Sequence, residues 1–355
     1  MKYLLFPFSV IYDWITSFRN FLFDNNFWIF KSQKFEEVFT ISVGNLSMGG
    51  TGKTPMIEYL ANLLISNYKV STLSRGYGRK TKGIRIANEA DTYETVGDEP
   101  MQFFYKFQNK IEVVVGEQRA IAIPHILQKK PEMQIILLDD AFQHRTVSPH
   151  INILLTDYNH LFFKDHIFPM GRLRENKKGV QRADIVIVTK CPEEIGYHKE
   201  YIKRKLAAYI NKPKVNLFFT TIKYENEVPI FEKSINTKYD DIIVVTAIAN
   251  NKSMINYLNT KYRVKEVVTF PDHHAFTEKD FYKVKKAFES LSGTPAIIVT
   301  TEKDMVKFKS NKNSELWAQL PMYYLPIQTR FLEHGDVFNR LVHQQISDFY
   351  NQQKN

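Results

Sequence analysis

The residues best suited to carry out chemistry form one uninterrupted stretch near the start of the chain: Gly49, Gly50, Thr51, Gly52, Lys53 and Thr54. Glycines allow successive backbone N–H groups to curl around phosphate oxygens. A lysine and a hydroxyl residue at the end of such a turn can bind the β- and γ-phosphates and Mg²⁺. The stretch therefore predicts a binding site for a nucleoside triphosphate. The alternative is a flexible turn that exposes a lysine.

The flanking residues supply the elements that a phosphate-binding loop needs. Residues 39–43 are an apolar, β-type run, and apolar residues recur at helical spacing from Met56 to Leu64. A helix that begins at the loop adds partial positive charge where the phosphates would lie. The common loop pattern has a further glycine at the position that Ser47 occupies here. The strand, turn and helix together favour the nucleotide interpretation.

A second group of candidates follows the apolar run at residues 135–138. Asp139 and Asp140 end this run, and acidic residues at the end of such a strand hold Mg²⁺ opposite a phosphate loop. Acidic pairs after a strand also cap helices. Because a phosphate loop precedes them, we expect these two carboxylates to lie on the metal side of the site.

Three arginines lie where loops leave predicted strands. Arg75 and Arg79 belong to a glycine-jointed basic loop after residues 70–73, and Arg119 begins a helix after residues 111–115. Such loops line the ligand crevice of open α/β sheets. Each arginine is therefore a candidate phosphate ligand, and the alternative for each is a solvated surface position.

Asp98, His273 and His274 are polar candidates without a motif of their own. Asp98 lies just before Pro100 and could simply cap a helix. Adjacent histidines point in different directions in most backbones, and no further ligand lies nearby in sequence, so zinc is disfavoured. A histidine in a loop that faces the first domain could orient or deprotonate a catalytic carboxylate. The alternative is an imidazole on a surface loop.

The composition is that of a globular protein with an anionic partner. Of the 355 residues, 44% are hydrophobic and 24% are charged, and 48 basic against 38 acidic residues give a net charge of +10. This charge suggests nucleic acid, acidic lipid or a phosphorylated substrate. Nucleic acid is disfavoured because the sequence has neither zinc-ligand spacing nor a long basic run. No obligatory protein partner is evident, and Cys191, the only cysteine, indicates a reducing compartment.

Residues 1–32 predict an amphipathic helix. Apolar side chains recur at helical spacing at Leu4, Phe8, Ile11, Ile15, Phe18 and Leu22. Polar side chains fall on the opposite side, and charged residues interrupt the segment well short of a membrane span. The helix either packs on the neighbouring domain or lies in a membrane interface. Its many aromatic residues favour the interface.

Alternating strand and helix patterns on both sides of a polar stretch predict an α/β protein with two units. We expect a P-loop NTPase-type domain with a mainly parallel sheet at residues 33–222. A linker or hairpin follows at 223–240, and a smaller α/β domain with a C-terminal helix follows at 241–355. Residues 189–192 occupy the place of a guanine-specific motif but lack its aspartate, which argues against GTP.

Several stretches, taken in this order, resemble the tetraacyldisaccharide 4′-kinases of lipid A synthesis. The matching residues are 43–55, 73–79, 97–100, 139–145, 173–175, 270–274 and 301–304. Phosphate loops of this family also lack the first glycine. The resemblance implies a P-loop kinase that binds peripherally to anionic lipid on the cytoplasmic face of the bacterial inner membrane. Such an enzyme would use ATP and Mg²⁺ to phosphorylate the 4′-hydroxyl of a tetraacyldisaccharide 1-phosphate, forming lipid IVA.

The resemblance also assigns roles to individual residues. Asp98 would be the catalytic carboxylate near the sugar hydroxyl, and His273 would be its partner from the second domain. The implied nucleotide-binding residues are Gly49, Gly50, Thr51, Gly52, Lys53, Thr54, Arg119, Gln143 and His144. The implied metal-side residues are Thr54, Asp139, Asp140 and Glu175.

A membrane-recruited P-loop switch ATPase is the second interpretation. It accounts for the glycine-rich loop and the amphipathic helix, but it gives Asp98, His273 and the second domain no role. The two interpretations differ in what happens to ATP. A switch would hydrolyse ATP with or without lipid, whereas a kinase would produce a phosphorylated glycolipid.

Overall fold

Two sheets organise the protein. The computed structural model describes residues 2–210, 215–232, 239–291, 295–310 and 313–353. In chain order the strands are β1 (Phe39–Asn45), β2 (Val70–Ser74), β3 (Arg85–Ile86), β4 (Glu112–Val115), β5 (Ile135–Asp139), β6 (Ile151–Asp157), β7 (Ile185–Thr189), β8 (Asn216–Tyr224), β9 (Val228–Pro229), β10 (Asp241–Thr246), β11 (Arg263–Thr269), β12 (Ala296–Thr301), β13 (Met322–Leu325) and β14 (Ile327–Phe331). The helices are α1 (Phe6–Asp24), α2 (Lys53–Leu64), α3 (Tyr93–Val96), α4 (Asp98–Phe107), α5 (Arg119–Lys129), α6 (His198–Ala207), α7 (Lys252–Lys261), α8 (Glu278–Glu289), α9 (Glu302–Lys309), α10 (Ser314–Trp317) and α11 (Gly335–Gln352).

The larger sheet has nine strands within these ranges, in the order β14-β8-β7-β6-β1-β5-β2-β4-β3. Neighbours from β8 to β4 run parallel, and the edge strands β14 and β3 run antiparallel. All residues of β1, β2, β5, β6 and β7 are buried, as expected for a parallel sheet with both faces covered. The predicted α/β fold with a mainly parallel sheet is confirmed. Because β1 and β5 are parallel neighbours, their carboxyl ends place the glycine-rich loop beside the acidic pair.

The smaller sheet has the order β11-β10-β12-β13-β9 among the described residues. Its strands are parallel except for β9 at the edge. Phe281 of α8 and Val306 of α9 are buried against one face, and Leu258 of α7 is buried against the other. Val96 and Met101, from the region of the larger sheet, belong to the same apolar cluster as α8 and α9. The two sheets therefore share buried apolar surface.

The end of the chain returns to the larger sheet. Strand β14 pairs with β8, and Phe338, Val342 and Ile346 of α11 are buried in the apolar cluster that β1 and α2 form. The sequence analysis placed all of residues 241–355 in the smaller domain, whereas β14 and α11 contact the larger sheet and its apolar cluster. An apolar face shows that a helix packs on a sheet, but it does not show which of two sheets.

The predicted linker at residues 223–240 is partly regular. Strand β8 continues to Tyr224, and β9 pairs with β13 of the smaller sheet. This stretch thus leads directly from one sheet to the other. Residues 233–238 of the predicted linker lie outside the described residues. The division of the chain into two domains stays a prediction.

Helix α1 contacts the rest of the protein through its polar face. Ser9 Oγ donates to the Ile167 carbonyl at 3.0 Å, and Asn20 Nδ2 donates to Glu175 Oε2 at 2.8 Å. The exposed apolar side chains of the helix are Phe6, Phe8, Val10, Ile11, Trp14, Ile15, Phe18 and Phe21. This orientation is the reverse of that in an ordinary surface helix. Among the described helices, none combines the length and apolarity that a membrane span requires.

Candidate active site

The glycine-rich loop connects the carboxyl end of β1 with the first turn of α2. Gly49 and Gly52 have φ angles of 105° and 85°, a left-handed conformation that other residues rarely adopt. Gly52 is the N-cap of α2 and provides no side-chain cap. Backbone N–H groups at the start of a helix have no partner within the helix, so this end suits a phosphate group.

The ends of β1 and β7 hold the loop in place. Asn45 Nδ2 donates to Thr51 Oγ1 at 2.7 Å, and Thr189 Oγ1 donates to the Thr51 carbonyl at 2.8 Å. Lys190 Nζ donates to the Gly50 carbonyl and lies 2.9 Å from Asp157 Oδ2. Thr51 is buried and therefore anchors the loop, although sequence analysis placed it among the nucleotide ligands. The anchoring residues are Asn45, Thr189 and Lys190. They lie outside the glycine-rich motif, so the motif could not identify them.

Lys53 and Thr54 begin α2 beside the acidic pair. Lys53 Nζ lies 3.6 Å from Asp140 Oδ1, and its side chain is 11% exposed. Arg174 Nη1 also contacts Asp140, at 2.9 Å from Oδ1 and 3.0 Å from Oδ2. Burial raises the pKa of Asp140, but the positive charges of Lys53 and Arg174 outweigh burial and hold this pKa below its ordinary value. Arg174 is thus a functional candidate that sequence analysis did not select.

Asp139 is the last residue of β5 and is fully buried. Burial, together with the charge of Glu99, raises the pKa of Asp139 to about 8, despite the opposing charge of Lys53. Its Oδ1 atom has no hydrogen-bond partner among the described residues. A buried carboxylate oxygen without a partner is a suitable ligand position for a cation.

These residues fit Mg²⁺. The unpartnered Oδ1 of Asp139, the Asp140 carboxylate and the Thr54 hydroxyl supply the oxygen atoms that Mg²⁺ prefers. In the described ranges, no group of three His, Cys, Asp or Glu residues forms a metal cage. Mg²⁺ in nucleotide sites does not need such a cage, because water and phosphate oxygens complete its coordination.

Glu175 is surrounded by hydrogen-bond donors from three parts of the chain. Its Oε1 accepts from Gln143 Nε2 at 2.9 Å and from Arg182 Nη2 at 2.7 Å, and its Oε2 accepts from Asn20 Nδ2 at 2.8 Å. The side chain is fully buried, and donors from α1 and from two loops occupy its oxygens. These contacts place Glu175 in a hydrogen-bond network, and its role on the metal side stays a prediction.

Arg119 and Gln143 hold the backbone around the site. Arg119 donates to the Gly116 carbonyl at 2.8 Å and to the Asp139 carbonyl at 3.3 Å, and burial lowers its pKa to about 10. Gln143 Nε2 donates to the Asn45 carbonyl at 2.7 Å. Both residues fix the ends of β1 and β5, which form the part of the site that is predicted to bind the nucleotide. Both Nε2 donors of Gln143 are engaged, whereas the buried Nε of Arg119 has no hydrogen-bond partner among the described residues.

His144 lies next to the same strand ends. Burial lowers its pKa to about 4, and the positive charges of Arg119 and Arg75 lower it further. The imidazole is therefore neutral at physiological pH. A neutral histidine can accept or donate a hydrogen bond to a nucleotide without adding charge.

Asp98 and His273 come together from opposite parts of the chain. Asp98 begins α4, directly after Gly97, whose φ is 101°. His273 follows β11 in a left-handed conformation with a φ of 60°. His273 Nδ1 lies 3.1 Å from Asp98 Oδ2, and the Tyr77 ring lies 5.6 Å from the imidazole. Glu99, the next residue, acts electrostatically on Asp139, so the pair adjoins the metal side.

Two lysines surround this pair. Burial raises the pKa of Asp98, but the hydrogen bond to His273 and the charges of Lys307 and Lys303 outweigh burial, so the pKa lies below its ordinary value. Sequence analysis missed both lysines. Lys303 lies in the matching stretch 301–304 but received no role, and its spacing of four residues from Lys307 in α9 places both on one helix face.

A model of the tetraacyldisaccharide-1-P 4′-kinase family matches residues 1–347. The chain is 42% identical to the tetraacyldisaccharide 4′-kinase of Flavobacterium psychrophilum over 96% of both chains. It is 41% identical to the protein of the same name from Flavobacterium johnsoniae over 98% of both.

A solved structure gives the same result. The crystal structure of LpxK from Aquifex aeolicus, determined in complex with ATP, superposes with a TM-score of 0.72 at 29% identity. The match covers 97% of this chain and 99% of that one. Family, relatives and structure agree over nearly the whole length. The chain therefore belongs to the tetraacyldisaccharide-1-P 4′-kinase family.

Proposed function

We propose that this protein is a kinase that transfers the γ-phosphate of ATP to the 4′-hydroxyl of a tetraacyldisaccharide 1-phosphate, forming lipid IVA. The observation that carries the proposal is the 3.1 Å contact between Asp98 and His273 beside a phosphate-binding loop. A nucleotide hydrolase or switch needs the loop but has no need for this pair. A kinase needs both, because a sugar hydroxyl requires a proton acceptor.

The nucleotide side would bind and neutralise the triphosphate. Lys53 and the N–H groups at the start of α2 would hold the β- and γ-phosphates, with Thr54, Asp139 and Asp140 as the residues that hold Mg²⁺. Bound Mg²⁺ would neutralise charge on the phosphates. Phosphoryl transfer depends mostly on such positioning and charge compensation.

The acceptor side would remove a proton. Asp98 Oδ2 is engaged by His273 and lies near Lys307, so the second carboxylate oxygen would accept the proton of the 4′-hydroxyl. The hydroxyl oxygen would then form the new bond to the γ-phosphorus as the bond to ADP breaks. Since Asp98 begins α4 and His273 lies in the loop after β11 of the smaller sheet, their approach depends on how these two segments are held.

We place the protein peripherally on the cytoplasmic face of the inner membrane, and the exposed apolar face of α1 supports contact with a membrane surface. Apolar residues such as Trp14, which is 76% exposed, would enter the interface between lipid headgroups and acyl chains. The polar face would remain on the protein, because Ser9 and Asn20 hold it there. The net charge of +10 favours anionic lipid.

We also propose a division of the chain into two domains. Residues 33–222 would form the P-loop domain together with β14 and α11, which pack on its sheet. The smaller domain would begin after the linker and contain β10 to β13.

A transfer assay with [γ-³²P]ATP and the lipid disaccharide 1-phosphate tests the proposed activity. We expect label in the lipid and one ADP per phosphorylated lipid, with no labelled product from a disaccharide that lacks the 4′-hydroxyl. ATP hydrolysis at the same rate without lipid, and no labelled lipid, would support the switch ATPase.

Sedimentation with vesicles of anionic phospholipid tests the membrane surface. Replacing Trp14 and Phe18 with serine should reduce binding by about tenfold or more, since each exposed aromatic side chain that leaves water contributes roughly 1.5–3 kcal/mol. Tyr282→Ser, an exposed position on α8, is the matched control. Equal binding by all three proteins would overturn the assignment of this surface.

A further inference from the structure

Helix α9 places two lysines on the Asp98–His273 pair. Lys303 Nζ lies 3.2 Å from His273 Nε2, and Lys307 Nζ lies 3.3 Å from Asp98 Oδ2. Thr301 caps the helix by accepting from the Asp304 N–H at 3.0 Å. The position of both lysines is therefore set by the end of β12 and the first turns of one helix.

The environment of Lys307 requires an ionised Asp98. The Lys307 side chain is only 1% exposed, and its Nζ lies 3.7 Å from Asp304 Oδ1. Asp304 is itself held through its Oδ2 by the Ala247 N–H at 2.9 Å. A buried ammonium group is stable only when negative charge compensates it. The nearest carboxylate oxygen is that of Asp98, so the folded structure favours the anion there.

Lys303 fixes the tautomer of His273. An ammonium group can only donate hydrogen bonds, so the Nε2 atom that faces it must carry a lone pair. The remaining proton of a neutral imidazole then lies on Nδ1, which faces Asp98 Oδ2 at 3.1 Å. In this arrangement His273 donates to the carboxylate and carries no charge.

We propose that Lys303 and Lys307 are positioning residues that keep His273 neutral and Asp98 ionised, so that Asp98 can accept the proton of the substrate hydroxyl. The inference rests on the proposed kinase function and deepens it. The proton passes from the hydroxyl oxygen to the Asp98 carboxylate, and the imidazole retains its Nδ1 proton throughout. Neither lysine loses a proton or contacts the reacting atoms.

The charged groups around the Asp98–His273 pair have opposite effects on the charge of the imidazole. The other titratable groups around the pair are Asp272, Asp304, Lys303, Lys307, Tyr77 and Tyr93. The carboxylates of Asp98 and Asp272 favour a charged imidazolium, and the Lys303 ammonium opposes it. Without Lys303, no neighbouring positive charge would face Nε2 to oppose an imidazolium, and an imidazolium beside Asp98 would make that carboxylate a weaker base.

The pH dependence of kcat tests the role of Lys303. In Lys303→Met the acidic limb should move to higher pH by about one unit, so that kcat on this limb falls by up to about tenfold. Near pH 9 kcat should approach the wild-type value, and KM for ATP should stay unchanged throughout. Lys303→Arg retains the charge and should restore the wild-type profile. Lys309→Met, an exposed lysine of the same helix, is the control for charge and should leave the profile unchanged.

A second measurement does not depend on kinase activity. Nitrogen NMR of ¹⁵N-histidine-labelled protein should show His273 with an unprotonated Nε2 at pH 7 in the wild type, and with more imidazolium in Lys303→Met. Identical ring signals in the two proteins, or a uniform loss of kcat at every pH, would overturn the proposal. A wild-type protein that phosphorylates no lipid would instead refute the proposed function and leave the NMR result standing.

Lys307 has its own test. Lys307→Met should also shift the acidic limb of kcat to higher pH, because burial would then raise the pKa of Asp98 without compensation from this charge. Thermal unfolding checks that the variant folds. If Lys307→Met fails to fold, Lys303→Met still decides the proposal, since the Lys303 side chain is 22% exposed and tolerates replacement more easily.

Discussion

The nucleotide side and the acceptor side of the site are built in different ways. On the nucleotide side, one contiguous loop and the end of the neighbouring strand supply nearly all the candidate ligands. On the acceptor side, Asp98, His273 and Lys307 come from three distant segments. Local sequence thus specifies the first region, whereas the second exists only after the sheets have packed.

The two regions also differ in their electrostatics. Asp139 is buried with its Oδ1 unpartnered, which keeps its pKa high until a cation compensates it. Asp98 already has His273, Lys303 and Lys307 around it, which keep its pKa low. On the nucleotide side, a bound cation is therefore needed to compensate the carboxylate charge. On the acceptor side, side chains of the protein itself compensate it. Substitutions in the two regions should have separable effects on ATP affinity and on turnover.

Asp98→Asn should give the largest effect. The amide has nearly the shape of the carboxylate but cannot accept the hydroxyl proton, so we expect kcat to fall about a thousandfold. Because Asp98 lies outside the phosphate loop, the dissociation constant for ATP should change by less than about twofold. Isothermal titration with ATP, in parallel with the transfer assay, measures both quantities.

Equal losses of turnover and ATP affinity in Asp98→Asn would contradict the separation of the two regions. Thermal unfolding is the control here, because the amide leaves the buried Lys307 ammonium without its nearest counter-charge.

Lys53→Met should affect both quantities. The lysine would contact the phosphates in the ground state and would also neutralise charge that develops during transfer, so we expect weaker ATP binding and a loss in kcat of about a hundredfold. Fluorescent-nucleotide titration and the transfer assay provide the measurements. Lys309→Met, exposed and distant from the loop, is the matched control. A variant with wild-type ATP affinity would show that Lys53 does not hold the triphosphate.

The difference between the nucleotide side and the acceptor side explains which site residues could be predicted from the sequence. The loop at residues 49–54, its strand and its helix are consecutive, so spacing alone located them. Asp98 and His273 were each candidates on the residues alone, but their pairing came only from a resemblance, because 175 positions separate them along the chain. Lys303 and Lys307 were missed, since two lysines in a helix are usually solvent-exposed.

Tertiary contacts also account for two features that the sequence analysis did not predict. Glu175 was selected as a metal-side acid, and Asn20 of α1 and Arg182 contact its oxygens. No local pattern shows that a residue more than a hundred positions away will approach. The return of α11 to the larger sheet is the same kind of contact.

Lys106→Met would break the connection between the two regions. Lys106 of α4 lies 2.7 Å from Glu58 of α2 and 2.9 Å from Glu302 of α9, and both carboxylates are buried. Removing the shared ammonium leaves two buried carboxylates uncompensated, which should lower the free energy of unfolding by about 3–5 kcal/mol. Urea unfolding measures this loss. The control is Lys110→Met, which changes a lysine just after the end of α4. Unchanged stability would show that this ion cluster does not hold the helices together.

His144→Gln should have the smallest effect and distinguishes the histidines of the two regions. The low pKa of His144, about 4, means that this imidazole exchanges no proton between pH 5 and 9. Its replacement should therefore lower kcat by a constant factor of no more than about tenfold and leave the shape of the pH profile unchanged. His273→Gln should alter that shape, because its imidazole is part of the proton-accepting pair.

Stability gives an independent check on His144. An unfolded imidazole takes up a proton near pH 6.5, whereas the folded one resists protonation until about pH 4, so wild-type stability should fall as the pH drops through this window. His144→Gln should show a shallower fall, measured by urea unfolding at pH 7 and pH 4.5. A pH profile of kcat that shifts in His144→Gln would place a titrating group on the nucleotide side. Proton transfer would then not be confined to the acceptor side, and this result would contradict the functional separation of the two regions.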